Sequence, residues 1–268
     1  MVITNKMSKN KSSCVVIFGG LGFIGSFFAK HILAENYTNL VYLVDIQAEN
    51  VFQSKYRERI IKSEPRIKIL NGDVRKKINL SIKEEVKLIA NFAAIHREPG
   101  HLEREYYETN IRGAENVCNW AVKMSCSLIL FTSSIAPYGV SGEFKNEDSL
   151  PVPSTAYGGS KLVSEKIHQA WQSADKLGRN LIIVRPGVVF GPGEGGNVSR
   201  LIKAIKGKYF FYMGNKNTVK AGVYIKELTV AMLWVIDNQY KLKENTSIFN
   251  MTMAPAPTVS DYVKSINS

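Results

Sequence analysis

Short runs of β-branched and other apolar residues alternate along the chain with longer stretches of helical period. CVVIF (14–18), LVYLV (40–44), RIKIL (66–70), KLIANF (87–92), SLILFTS (127–133) and LIIVRP (181–186) have the length and composition of strands buried on both faces. Between them, segments near 23–36, 51–63, 102–124 and 157–178 repeat apolar positions at the spacing of amphipathic helices. This alternation predicts an α/β fold, a doubly wound parallel sheet with helices on both faces. Beyond residue 186 the pattern loosens. A glycine- and proline-rich loop, GVVFGPGEGGN, is followed by a helix over 198–207, the apolar piece KYFFYMG, a strand-like AGVYI, a helix over 226–238 and a short strand, SIFNMT. TVSDYVKSINS reads as the start of one more helix.

Composition narrows the class. At 268 residues, 45% hydrophobic and 22% charged, the chain has room for one large globular α/β unit. No apolar run reaches the roughly 18–20 residues that span a bilayer. The lysine-rich start, MVITNKMSKNKSS, lacks the apolar core and cleavage site of a secretory signal and reads as a leader over 1–13. Cys14, Cys118 and Cys126 are odd in number, and their spacing suits neither a metal nor a disulfide framework. They read as small buried hydrophobes in a reducing, cytoplasmic protein. The net charge of +12 comes from scattered lysines, and no helix carries a basic stripe with interleaved aromatics. Neither nucleic acid nor a membrane is therefore expected as a partner. The charge is compatible with an anionic, diphosphate-bearing substrate.

Chemistry enters at the strand ends. The first strand runs into FGGLGFIGSFFAKHIL, where Gly19, Gly22 and Gly25 lie between strand and helix. Such a turn lets backbone approach a pyrophosphate, and the helix N-terminus supplies N–H donors and partial positive charge. Gly25 is expected to serve close helix packing. Asp45 ends the second strand 20 residues after Gly25, where an acid can hold the adenosine ribose and disfavour the extra phosphate of NADP. Asp73 and Val74 follow the third strand, placed to flank an adenine. Phe92, Ala93 and Ala94 follow the fourth, where small residues leave room for a cofactor. These features predict a Rossmann-type NAD site in a domain over 14–186, with 187–268 as a smaller substrate-binding region interleaved with it and shortened.

The fifth strand ends in Ser133 and Ser134, and STAYGGSKLVSEKIHQAWQ follows. Apolar positions from Ala156 onward keep helical period, and Ser154 or Thr155 can cap the helix. Tyr157 and Lys161 then share one face, a turn apart. A phenol is a weak base at its ordinary pKa of about 10, and an ammonium one turn away favours the phenolate. Tyr157 can then take a proton from a substrate hydroxyl while hydride leaves the same carbon, with Ser134 hydrogen-bonded to that oxygen and Lys161 also on the nicotinamide ribose.

The pieces GGLGFIG, Asp45, GDV, NFAA, YYETNIRGAENV, TSSIAPYG, YGGSK and RPGVVFGPG occur in one order from residue 14 to about 255. In this the chain resembles the extended short-chain dehydrogenase/reductase family, in its NAD-dependent nucleotide-sugar epimerase/dehydratase branch. The resemblance implies that Ser134, Tyr157 and Lys161 are catalytic, that Phe23 and Ile24 line the pyrophosphate, and that Ser133 and Thr109 contact the cofactor. Asn110 would tie its helix to the sheet. It also implies that Asn197, Val198 and Lys220 meet the substrate diphosphate, and that a homodimer forms through helices 102–124 and 157–178. His96, after the fourth strand, is a further candidate for substrate contact. Val188, Lys226 and Glu227 depart from the family's usual residues, and the chain stops short of its usual length.

Dehydratases of the branch carry an Asp-Glu pair after the serine; Ile135 and Ala136 stand there and cannot move a proton. The expected reaction is C4 epimerisation of a nucleotide sugar through a transient 4-keto sugar. The alternatives are a 4-keto reductase or dehydrogenase, and a non-catalytic NAD-binding regulator.

Overall fold

The computed structural model describes residues 12–46, 54–97, 100–242 and 244–267. The strands in chain order are β1 (Ser13–Phe18), β2 (Val41–Asp45), β3 (Ile67–Asn71), β4 (Glu85–Asn91), β5 (Leu128–Thr132), β6 (Asn180–Pro186), β7 (Val188–Phe190), β8 (Gly222–Tyr224) and β9 (Thr246–Met251). The helices are α1 (Phe23–Ala34), α2 (Lys55–Lys62), α3 (Glu103–Lys123), α4 (Ala156–Ser173), α5 (Asn197–Lys206), α6 (Ile225–Asp237) and α7 (Val259–Asn267). Seven strands form one parallel sheet in the order β3-β2-β1-β4-β5-β6-β9. Chain direction reverses across the sheet between β1 and β4, so the carboxyl ends of these two strands open a crevice there.

Strand residues alternate between two cores, as the period of two requires. Val15, Ile17, Leu43, Leu88 and Leu130 face a layer containing Phe28 and Ile32 of α1 and Leu228 and Met232 of α6. Cys14, Val16, Phe18, Ile89 and Phe131 face the other layer, with Val117 and Trp120 of α3 and Trp171 of α4. Burial on both faces explains why these strands read as continuous apolar runs.

Several elements differ from expectation. SIFNMT, expected within the smaller C-terminal region, is β9 and pairs with β6 from Leu181–Thr246 to Pro186–Met251. With α6 packed on α1, this is where the chain beyond 186 returns to the main sheet. Part of GVVFGPG, read as loop, is β7, which pairs with β8 over three residues. Three residues flanked by glycines are too few to display a period. Helix α4 ends at Ser173 rather than 178, and Asp175 Oδ1 accepts the Gly178 N–H in the turn beyond it. The leader lies outside the described residues up to 11, and Ser13 already belongs to β1; residues 51–53 of the expected second helix also lie outside them. All three cysteines are free and buried. Burial pushes the thiols of Cys14 and Cys118 up to about 12 and that of Cys126 to about 11, which leaves them unreactive.

His168 lies fully buried between α4 and the sheet, stacked on Phe131 with ring centroids 4.1 Å apart. Its Nδ1 is 2.7 Å from the Ser164 carbonyl, so Nδ1–H donates, and Nε2 accepts from Asn91 Nδ2 at 3.3 Å. Burial lowers its pKa to about 4. Below about pH 6.5 the unfolded chain takes up a proton that the folded protein refuses until about pH 4, so stability falls across that window. From a shift of this size the loss is about 3 kcal/mol. His168→Gln should flatten this part of the pH dependence in urea unfolding between about pH 6.5 and 4, whatever its effect on stability at neutral pH.

Candidate active site

The turn after β1 is built for close approach. Gly19 has φ +71°, and a Cβ there would lie 2.6 Å from the Ala93 amide nitrogen and 2.7 Å from the Phe92 carbonyl carbon. Only glycine allows the turn to lie against the exit of β4. A Cβ at Gly25 would meet the Gly19 carbonyl oxygen at 2.6 Å and Gly20 Cα at 2.7 Å, so Gly25 seats α1 on the turn itself. Gly22 is the N-cap of α1 and provides no side-chain cap. The helix therefore opens with uncapped N–H groups beside half-buried Phe23 and Ile24, an arrangement suited to a pyrophosphate.

Asp45 closes one side of this turn. Its Oδ2 accepts the Leu21 N–H at 3.0 Å and its Oδ1 accepts the Ile46 N–H at 2.9 Å. Burial raises its pKa, while these two hydrogen bonds and the Arg57 charge pull it back. Arg57, absent from the sequence reading, reaches from α2 to the Leu21 carbonyl at 3.3 Å and leaves a buried Nε without a partner. Asp73 is engaged by Arg75 through bonds of 2.9 and 2.8 Å, which hold its carboxyl below the ordinary range. Val74 is buried under Gly113 of α3, and its carbonyl accepts from Asn116. Phe92, Ala93 and Ala94 line the exit of β4 half-buried, with Phe92 edge-on to Phe28.

The other wall of the cleft is the start of α4. The Thr155 side chain accepts the Gly158 N–H at 3.1 Å and so fixes the first turn. A Cβ at Gly158 would lie 2.7 Å from the Ala136 carbonyl oxygen, and one at Gly159 would lie 3.3 Å from the Tyr107 hydroxyl. The two glycines thus bring the helix onto the 3₁₀ turn at Ala136–Tyr138 and onto α3, placing Tyr157 next to the segment that follows β5. Tyr157 is half-buried, 6.1 Å from the Tyr106 ring. Lys161, one turn on, is buried; its Nζ donates to the Thr132 carbonyl at 2.5 Å and lies 4.4 Å from the Phe131 ring centre. Burial lowers its pKa to about 7, against the pull of Glu165. Ser134 Oγ accepts the Ala136 N–H at 3.1 Å, so its own proton can be donated.

Asn110 bonds Ile95 on both backbone groups, tying α3 to the β4 exit as expected, and its Nδ2 also donates to Ser160 Oγ of α4 at 2.8 Å. Thr109 precedes it, half-buried. His96 stands beside the β4 exit with part of its surface in solvent; desolvation of the remainder and the nearby Lys161 charge lower its pKa against the hydrogen bond with Ala94. Ser133, at the end of β5, turns its side chain inward. It is buried and its hydroxyl donates to Glu165 Oε1 at 2.5 Å, which leaves its backbone as the part that can face a cofactor. Asn197 and Val198 start α5, where Glu194 already accepts the Ser199 N–H, a negative charge where the resemblance implied a diphosphate. Lys220 is exposed on a groove with Tyr209, Phe210 and Val259, bordered by none of Ser134, Tyr157 and Lys161. A second cavity, at Tyr37, Lys87, Ser127 and Asn180, lies at the amino ends of the strands and holds no predicted residue.

The sequence profile described as the NAD dependent epimerase/dehydratase family matches residues 15–251. The chain belongs to this family. It is 30% identical over 236 residues to the N-acetyl-α-D-glucosaminyl-diphospho-ditrans,octacis-undecaprenol 4-epimerase of Escherichia coli O157:H7, covering 85% of this chain and 63% of that one. It is 27% identical to the UDP-glucose 4-epimerase of Lactobacillus helveticus, over 60% of this chain and 47% of the other. The chain thus spans less than two thirds of these relatives' length. The fold superposes on the Bordetella bronchiseptica enzyme WbmG, solved with NAD and UDP, at a TM-score of 0.75 and 18% identity over 94% of this chain and 76% of that one. Besides Arg57, the residues without an assigned role in the sequence lie beneath α4. Arg185 of β6 is bidentate to Glu165 at 2.8 and 2.6 Å and donates to the Tyr138 hydroxyl at 2.7 Å. Charged residues inside a strand and on the inward face of a helix were the available signal.

Removing one partner of that buried pair leaves the other uncompensated. Arg185→Met should cost about 3–5 kcal/mol in urea unfolding, and the double variant with Glu165→Met should cost less than the single one.

Proposed function

We propose that the protein is an NAD-dependent 4-epimerase of a hexose carried on a diphosphate, with a nucleotide sugar as the expected carrier. The observation that carries the reading is the placing of Tyr157 and Lys161 on one turn of α4, with Lys161 bonded to the end of β5 and Ser160 linked through Asn110 to the β4 exit that touches the glycine turn. The cradle at Gly19 and the uncapped start of α1 fit a dinucleotide pyrophosphate, and Asp45 fits a ribose diol. Bound NAD would supply the hydride acceptor and, in return, its donor. The protein's own residues handle the proton. Tyr157 takes it from the sugar hydroxyl and gives it back after the ring has turned, and Ser134 donates a hydrogen bond to the same oxygen. Lys161 in its charged form favours the Tyr157 phenolate. With Ile135 and Ala136 after the serine, no side chain there can eliminate water from the sugar.

Homodimer formation through α3 and α4 belongs to the same reading, supported by Tyr107, Val122 and Val163 exposed on those helices. Cytoplasmic residence is supported by the three free, buried cysteines. The carrier is the point on which the E. coli relative, named for a diphospho-undecaprenol sugar, bears directly.

Tyr157→Phe should lower turnover at least about 100-fold while leaving NAD affinity within a few-fold of wild type. Assays with UDP-N-acetylglucosamine and with N-acetylglucosaminyl-diphospho-undecaprenol decide the carrier. Wild-type-like turnover in the Phe variant, or no epimerised product from either carrier, would remove the proposal.

A further inference from the structure

Of the charged side chains on α2, Arg57 alone is buried, at 4% exposure. Its Nη1 donates to the Leu21 carbonyl at 3.3 Å, and its Nε is buried without a partner. Among the described residues it forms no ion pair. A guanidinium taken out of water is strongly unfavourable unless hydrogen bonds and an opposite charge compensate it. One long hydrogen bond to a neutral carbonyl is little compensation, so the residue calls for a negative partner.

Its place in the fold says which. Leu21 lies in the turn after β1, between Gly20 and Gly22, and Gly22 is the N-cap of α1. Asp45 Oδ2 accepts the Leu21 N–H at 3.0 Å while Arg57 donates to the Leu21 carbonyl, so two opposite charges on two elements hold one residue from both ends. Between flexible glycines, that grip sets the course of the backbone into α1. Asp45 also brings a negative charge to a site suited to a diphosphate, where like charges repel. The Arg57 charge opposes this, and it draws the Asp45 pKa down against the effect of burial. Leu21 is 3% exposed, so the charge acts through an interior where attraction is screened less than in water.

We propose that Arg57 is a positioning residue of the dinucleotide site and the buried counter-charge for the diphosphate that the turn receives. It acts through the Leu21 backbone and through its charge rather than by contact with the ligand. The inference rests on the NAD reading of the crevice and adds to it the residue that offsets Asp45.

The test separates charge from hydrogen bonding. Arg57→Lys keeps a charge and a donor, whereas Arg57→Gln keeps a donor and loses the charge. NAD and ADP are each titrated calorimetrically into the full chain. Arg57→Gln should weaken both ligands about tenfold or more, and Arg57→Lys should stay within about threefold of wild type, because the loss follows the charge. Arg57→Met, which fills the space of the stem without a donor, should lose at least as much as Arg57→Gln. It takes the place of that variant if circular dichroism shows the glutamine protein unfolded. A folded Gln or Met variant that binds NAD as tightly as wild type would overturn the proposal. So would a Lys variant that loses as much as the Gln variant, as a purely structural hydrogen bond requires, or a loss for NAD with none for ADP. A wild-type protein that binds neither ligand would remove the reading of the crevice, and this inference with it.

Discussion

The buried face of α4 is polar, and the geometry of the cleft follows from that constraint. Ser160, Lys161, Ser164, Glu165, His168 and Gln172 all lie inside. A helix packed through apolar contacts alone can slide or rotate by small amounts. One whose buried groups must each find a partner cannot, because an unmet buried hydrogen bond costs about 1–3 kcal/mol. Here Lys161 is held by a β5 carbonyl, Glu165 by Arg185 of β6 and by Ser133, and His168 by Asn91 of β4. Three neighbouring strands therefore fix the rotation of the helix, and with it the direction in which Tyr157 leaves the helix. The cost is a set of ionisable groups that burial disfavours in their charged forms, visible in the depressed pKa values of Lys161 and His168.

The second constraint is proximity of backbone to backbone. The strand order opens a crevice between the ends of β1 and β4, and Gly19 lets the β1 turn touch the β4 exit at Ala93. Asn110 ties that exit to α3 and, through Ser160, to α4. The turn and the Tyr157 helix are thus joined by a short chain of direct contacts. That is what a reaction needs when a hydride and a proton must leave neighbouring atoms together.

Much of this was legible in the sequence because it depends on local pattern. Apolar runs identified the first six strands of the sheet, although β3, at the sheet edge, leaves Ile69 exposed rather than buried on both faces. The periodicity after Ala156 placed Tyr157 and Lys161 on one helix face. What was not legible depends on long-range pairing. SIFNMT looked like a minor strand because nothing local shows that its partner is β6, 65 residues earlier at Leu181–Thr246. Ser133 and Ser134 are adjacent and identical in type, and only the position of Glu165 shows that the first hydroxyl is spent inside. Arg57, Glu165 and Arg185 carry no assigned role in the sequence, because their partners lie on other elements and meet them only when the helices dock. KYFFYMG read as an apolar piece with no assigned strand, and only the fold reveals that Tyr209, Phe211, Tyr212 and Met213 stay in solvent while Phe210 is half-buried.

The central claim is that the crevice between β1 and β4 is a dinucleotide site facing Tyr157. Isothermal titration of NAD into the wild-type protein and a Gly19→Val variant tests it most directly. The wild type should bind NAD, more tightly than NADP because of Asp45, and the variant should lose that binding, because a Cβ at Gly19 meets the Ala93 backbone and pushes the turn off the β4 exit. A wild-type protein that binds no NAD, or a folded Gly19→Val variant that binds as tightly, would contradict the account.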